Sequence, residues 1–164
     1  MLKKAFAAVA LALLASSSFA AAPTGFYAGA DLGVTDIDGL DSSKTSLGAF
    51  AGYGFNQYVA VELGYRHLGK WDFGPVDVSA KQTHLSLVGS YPLSSALDVY
   101  GRLGYNDLRA EASYGGYTYG ASTSTGLYGV GLSYALSHTL SARAELQKPS
   151  SDSTNFGIGL AWKF

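Results

Sequence analysis

Cysteine is absent from the 164-residue chain, so no disulfide can staple it. Long apolar runs are absent too: a spanning helix needs about 20 such residues, and the uncharged stretch Ala5–Ala15 offers eleven. Charge is scarce, with Asp, Glu, Lys and Arg at 14% and a net charge of −1. That balance is too weak, and of the wrong sign, for a nucleic-acid binder. What the chain has instead is glycine and tyrosine, 21 and 12 residues. Much Gly and Tyr with few charges suits β-structure whose surface faces something other than water.

The N-terminus has three parts. Lys3 and Lys4 are a positive start, Ala5–Ala15 an apolar centre, and Ser18, Ala20, Ala21 and Ala22 a run rich in small residues. This is the pattern of a secretory signal peptide. Ser18 and Ala20 form the small pair that places cleavage after Ala20. The expected organisation is a leader over 1–20 and one domain over 21–164. Loss of the two lysines takes the net charge from −1 to −3.

Periodicity fixes the class. Phe156, Ile158, Leu160, Trp162 and Phe164 alternate with Asn155, Gly157, Gly159, Ala161 and Lys163. Large apolar residues take one face, and small or polar residues the other. The same period of two recurs from Phe26, Leu47, Val59, Thr83, Leu97, Tyr128 and Leu140, which makes eight strands. The polar face is mostly Gly, Ala and Ser. Water-facing surfaces are richer in Lys and Glu, whereas small residues suit the narrow interior of an eight-stranded ring. The large apolar face is therefore read as facing lipid, in preference to a soluble barrel of the lipocalin kind.

The connections alternate short and long. Asn56-Gln57, 92–96 and 136–139 are short; 36–44, 69–80, 108–124 and 148–154 are read as long loops. Short turns on one side and long loops on the other is the outer-membrane pattern, with the short side periplasmic. Tyr53, Phe55, Tyr58, Tyr91, Tyr134, Trp162 and Phe164 gather near the short turns as a lower aromatic girdle. Tyr65, Tyr105, Tyr128 and Phe156 form the opposite one. The expected fold is all-β: a transmembrane, eight-stranded, antiparallel up-and-down barrel in the cell outer membrane.

These residues resemble a known family. The stretch from Gly52 to Tyr65 (GYGFNQYVAVELGY) looks like the second hairpin of the OmpA transmembrane domain. Tyr91-Pro92-Leu93 with Leu97–Gly104 looks like its third periplasmic turn and fifth strand, and Phe26–Gly33 is similar to its first strand. Phe164, after Trp162 and Lys163, is like the C-terminal signal read by the outer-membrane insertion machinery. The peptidoglycan-binding domain of full-length OmpA proteins has no counterpart after Phe164, so the resemblance does not imply wall tethering.

Inward charges come at Asp31, Glu62, Arg66, Arg102, Arg143 and Glu145. Glu62 and Arg143 lie on opposed strands and can pair across the lumen, and Arg102 is within reach of Glu145. An unpaired charge in such an interior is costly, so pairing is expected. The OmpA barrel carries a similar Glu–Arg pair whose members can switch to a further Lys or Glu. The aligned positions here hold Val88 and Ser133, so the resemblance implies that the switch is missing.

Several other patterns fail on context. His84-Leu85-Ser86 has the spacing of outer-membrane lipid A deacylases, but both polar residues point inward. His67 and His138 are too far from His84 to form a metal or triad constellation. Gly64–Lys70 matches a phosphate loop, yet Trp71 stands where Ser or Thr is required. Asp36, Asp38 and Asp41 lack EF-hand spacing and are read as a solvated acidic loop. No catalytic residue, metal or cofactor is expected. Tyr114, Tyr117 and Tyr119, set among Gly and Ser, have the composition of adaptable binding surfaces. The expected partners are outer-membrane lipid and lipopolysaccharide, the insertion machinery during assembly, and an extracellular partner at the long loops. Two function classes survive: a structural or surface-interaction barrel with a filled lumen, and a porin-like narrow pore or small-solute transporter; a lipid-modifying outer-membrane enzyme is the distant third.

Overall fold

Strand pairing begins where the small–large alternation begins. The computed structural model describes residues 23–37, 43–73, 76–114, 117–151 and 153–164. The expected leader, residues 1–20, lies outside the described residues, as do Asp38 and Asp41. Eight strands follow in order: β1 (Gly25–Ile37), β2 (Lys44–Gly54), β3 (Val59–Phe73), β4 (Val76–Pro92), β5 (Leu97–Tyr114), β6 (Tyr117–Ala135), β7 (Leu140–Ser150) and β8 (Ser153–Lys163). Each pairs antiparallel with its sequence neighbour, and β8 returns to β1 to close the barrel. Closure runs from Ile37 opposite Ser153 to Tyr27 opposite Lys163, and Phe164 N donates to Phe26 O at 3.1 Å.

The outer surface is the apolar one. Leu32, Leu63, Leu85, Leu103, Val130, Ile158 and Trp162 are all exposed, while their inward neighbours Glu62, His84, Ser86, Arg102 and Ala161 are buried. A water-soluble barrel would invert this pattern. No helix among the described residues is long and apolar enough to cross a membrane; the strands do the crossing.

Three short turns share one design. Phe55 N, Leu93 N and Leu136 N donate to Val59 O, Leu97 O and Leu140 O at 2.9, 2.8 and 2.9 Å. Within each turn one side chain accepts from the backbone two and three residues on. Asn56 Oδ1 takes Tyr58 N and Val59 N at 2.8 and 2.9 Å. Ser94 Oγ takes Ala96 N and Leu97 N at 3.3 and 3.1 Å. Ser137 Oγ takes Thr139 N and Leu140 N at 3.2 and 3.0 Å. A short polar side chain thus does the work of a turn backbone at each of these tight connections.

At the other end the strands correct the sequence reading. The described residues of the stretches 69–80 and 108–124 are strand, not loop. The β3–β4 ladder continues to Phe73 opposite Val76, and β5–β6 continues to Tyr114 opposite Tyr117. The stretch 148–154 is likewise mostly strand, with Ser150 opposite Ser153. Backbone groups leaving the membrane still gain by pairing, and the Tyr, Thr, Val and Trp in these segments favour strand. The result is a one-sided extension. β6 meets β7 only from Tyr128 opposite Lys148 downward, so β3–β6 rise as a wall above the rest of the rim.

Candidate functional site

The lumen is where the sequence concentrates its polar chemistry, and the register decides what meets what. Glu62 on β3 is fully buried, and three donors converge on it. Arg143 Nη1 reaches Oε1 at 2.7 Å from β7, Arg102 Nη2 reaches Oε2 at 2.5 Å from β5, and the Tyr27 hydroxyl reaches Oε1 at 2.7 Å from β1. Arg102 also donates through Nε to Glu145 Oε1 at 2.7 Å, and the Tyr100 hydroxyl donates to Glu145 Oε2 at 2.8 Å. The residues form one connected cluster in which Arg102 bridges both carboxylates, where the sequence offered two separate pairs. The Arg143 guanidinium lies over the rings of Tyr100 and Phe50, 4.5 and 5.0 Å from their centroids. Two carboxylates against two guanidiniums leave no surplus charge in the cluster.

Asp31 pairs elsewhere. Its Oδ1 accepts from Arg66 Nη2 at 2.6 Å. Arg66 Nη1 also donates to Asn155 Oδ1. Asn155 Nδ2 in turn reaches Ser46 Oγ at 2.7 Å and Thr35 Oγ1 at 2.8 Å. Thr35, Ser46, Gln82, Asn106, Gln147 and Asn155 are all buried, and they form a layer of amides and hydroxyls above the charges. Leu68, next inward after Arg66 on β3, and Leu127, opposite Gly104 on β5, are buried inward apolar residues beside that layer. Alternation had already put Asn106, Gln147 and Asn155 on the inner face, but not together in one layer. Leu127 went unread because it breaks the rule that inward residues are small. Asp98, another buried carboxylate, lies near the short-turn end of β5.

Space inside is small. A cavity of about 20 Å³ lies beside Asp31, Arg66, His84, Glu145 and Gln147, and another of about 10 Å³ lies beside Tyr27, Ala60, Val88 and Ser133. A single water needs roughly 10–15 Å³ on the same measure. Val88, one of the two positions aligned with the OmpA switch partners, is buried and carries no charge.

The other sequence candidates are dispersed. His84 Nε2 stands 3.1 Å from Arg102 Nη1, and Ser86 Oγ has no protein hydrogen-bond partner, so the two do not form a nucleophile–base pair. No group of three or more metal-ligating side chains occurs among the described residues. The girdle residues Tyr53, Phe55, Tyr58, Tyr91, Trp162 and Phe164 are exposed at the short-turn end, while Tyr134 is half-buried against Ala96 and Ala135. Phe26, Tyr53 and Phe55 stack edge to face, with centroids 4.8 and 5.4 Å apart.

The comparisons agree with this architecture. The model of the outer membrane protein beta-barrel domain matches residues 6–164. Outer membrane protein A of Escherichia coli O157:H7 is 32% identical over 165 residues, covering 89% of this chain and 47% of its own. Outer membrane protein P5 of Haemophilus influenzae is 34% identical over 181 residues, covering 90% and 51%. The chain thus spans about half the length of the curated relatives it matches. Among solved structures, Neisserial surface protein A superposes with a TM-score of 0.73 at 18% identity, over 86% of this chain and 98% of that one. The chain belongs to the outer membrane protein beta-barrel domain family, as an OmpA-like eight-stranded barrel of the cell outer membrane.

Proposed function

We propose that this barrel is a non-conducting structural and surface-presenting protein. Its lumen is held shut by paired charges, and its β3–β6 wall is offered to an extracellular partner. The observation that carries the reading is the bridging of Glu62 and Glu145 by Arg102, with side-chain exposures of 0%, 11% and 3%. Opening a path through that cluster means separating several charge-assisted hydrogen bonds in a poorly hydrated space. Breaking a buried pair by removing one partner costs about 3–5 kcal/mol. The flanking cavities, each with room for about one water, support the same view.

Purified protein in planar bilayers tests it. Wild type should give no steady single-channel conductance, and simultaneous removal of Glu62, Arg102 and Arg143 side chains should create one. Steady channels from wild type would overturn the reading in favour of a narrow pore. No catalytic role is assigned, and the inward, unlinked His84 and Ser86 support none.

A further inference from the structure

Above the rim β6 keeps a partner on one side only. It pairs with β5 from Tyr117 opposite Tyr114 to Tyr134 opposite Leu97, but with β7 only from Tyr128 opposite Lys148 downward. Above Lys148 the top of β7 goes with β8: their register shifts between Gln147 and Ser150, and Ser150 faces Ser153. Asn106 marks the parting, its Nδ2 donating to Thr125 O on β6 at 3.2 Å and to Pro149 O on β7 at 2.9 Å.

Alternation decides which backbone groups are left over. In an extended strand the N–H and C=O of one residue address the same neighbour, and those of the next residue the other. Ala135 N donates to Ala96 O at 2.8 Å on the β5 side, and Leu136 N donates to Leu140 O at 2.9 Å on the β7 side. The β5–β6 register runs without a shift, so odd-numbered residues of β6 address β5 and even-numbered ones the β7 side. Thr118, Gly120, Ser122, Ser124 and Gly126 therefore turn their N–H and C=O groups to a place where no described strand stands.

The two edges of the β3–β6 wall differ. Proteins blunt exposed edges with charge, proline or bulges, because a bare edge is a template for another strand. β3 pairs with β2 only up to His67 opposite Leu47. Above that point it has a register shift between His67 and Gly69, and its sequence holds Lys70 and Asp72. β6 over 118–127 has no charge, no proline and no register shift, and residues 120–124 and 126 are exposed.

We propose that the bare edge of β6 docks an extended segment of an extracellular protein, which joins the wall as one more strand. Backbone hydrogen bonds supply the affinity in this mode, and the Gly, Ala, Ser and Thr residues of 120–126 leave those groups within reach. The occupant is a soluble chain and not a second barrel. From Tyr128 downward the place beside β6 is held by β7, so another copy in the same membrane would have to stand where β7 and β8 stand. A segment arriving from outside meets no such obstacle. The site deepens the surface role proposed above and rests on the wall, not on the lumen. Steady conductance by wild type would overturn closure and leave the edge untouched.

Amide hydrogen exchange of the folded protein in micelles, read residue by residue by NMR, tests it. Free protein should alternate along β6: Gly120, Ser122, Ser124 and Gly126 fast, Ala121, Thr123 and Thr125 slow. The binding probe is a synthetic strand of three Thr-Val repeats flanked by lysines. At saturation it should slow the four fast amides about tenfold or more and leave the other three unchanged. Ser122→Pro removes an N–H on the open side only, as an edge strand tolerates, and should weaken the peptide about tenfold, the worth of one backbone hydrogen bond. Ser122→Lys should weaken it too, so the result does not hang on the proline variant, and slow amides at Ala121 and Thr123 certify the fold of both. Ser122→Ala keeps the N–H and should bind as wild type does. Slow exchange at the even positions of free, monomeric protein would overturn the proposal, because the edge would already be covered. So would protection that rises with protein concentration alone, which would make a second copy the occupant. Loss of the peptide with Ser122→Ala would mean recognition by side chains, and no protection at millimolar peptide would mean no docking edge; either result sinks it.

Discussion

The Tyr100 ring occupies the space where a side chain on Gly131 would begin: a Cβ there would stand 2.5 Å from Tyr100 Cζ. The two residues are opposite one another on β5 and β6. The relationship repeats around the lumen, where Tyr27 lies over Gly52, Phe50 over Gly29 and His84 over Gly64, each across one register pair. An eight-stranded ring leaves little interior room. It accommodates a large inward side chain by leaving the facing position bare. These rings in turn hold the hydroxyls that complete the charge cluster.

Gly131→Ala should therefore push Tyr100 off Glu145 and destabilise the barrel by about 2 kcal/mol, through overpacking and a lost buried hydrogen bond. Gly89→Ala is the matched control. It faces outward with open space, and relief of glycine's backbone freedom should leave stability unchanged or raised by about 0.5 kcal/mol. Urea unfolding in detergent measures both. Equal losses at the two sites would show that the ring contact contributes nothing.

A second expectation concerns the shared arginine. Glu62→Gln removes the carboxylate that both Arg143 and Arg102 address, leaving a buried charge imbalance worth about 3–5 kcal/mol. Arg143→Met should cost less, because Arg102 and Tyr27 still hold Glu62. The double variant should lose less than the sum of the two single losses. Strict additivity across the cycle would mean that the residues do not interact.

The alternation of faces was legible because lipid and lumen impose opposite demands on neighbouring residues. Within the membrane nearly every inward and outward assignment, from Phe26 to Trp162, followed from that one rule. Register was not legible. It depends on where each turn begins, and the Asn56, Ser94 and Ser137 turns went unread as a repeated design. Without register, Arg102 could be given to Glu145 but not also to Glu62. Above the membrane the alternation loses its cause. Ser, Thr, Gly and Tyr there have loop-like composition, so by sequence alone strands such as the upper part of β6 read as loops.

Asn155 offers a third expectation, outside the charge cluster. Its amide joins Arg66, Ser46 and Thr35 in one fully buried knot. Asn155→Ala would strand two hydroxyls and one face of a guanidinium. A cost of about 2–3 kcal/mol is expected for partners left unsatisfied. Asn155→Ala with Ser46→Ala and Thr35→Val should recover part of that loss, since fewer buried groups then lack partners. If the triple variant were less stable than the single one, the loss would come from packing volume and not from hydrogen bonding.

Orientation supplies the last expectation, and the missing cysteine makes it clean. The chain has no thiol of its own, so each introduced cysteine reports alone. The family's short turns are periplasmic, and both described ends of the barrel lie on that side, as the contact from Phe164 N to Phe26 O requires. Gln57 and Ser95 are exposed within short turns, whereas Ser122 and Ser151 are exposed at the long-strand end. In intact cells a membrane-impermeant maleimide should label Ser122→Cys and Ser151→Cys but not Gln57→Cys or Ser95→Cys. All four should label once the outer membrane is permeabilised, which shows that the silent positions are reactive and merely shielded. Labelling of Gln57→Cys in intact cells would invert the barrel.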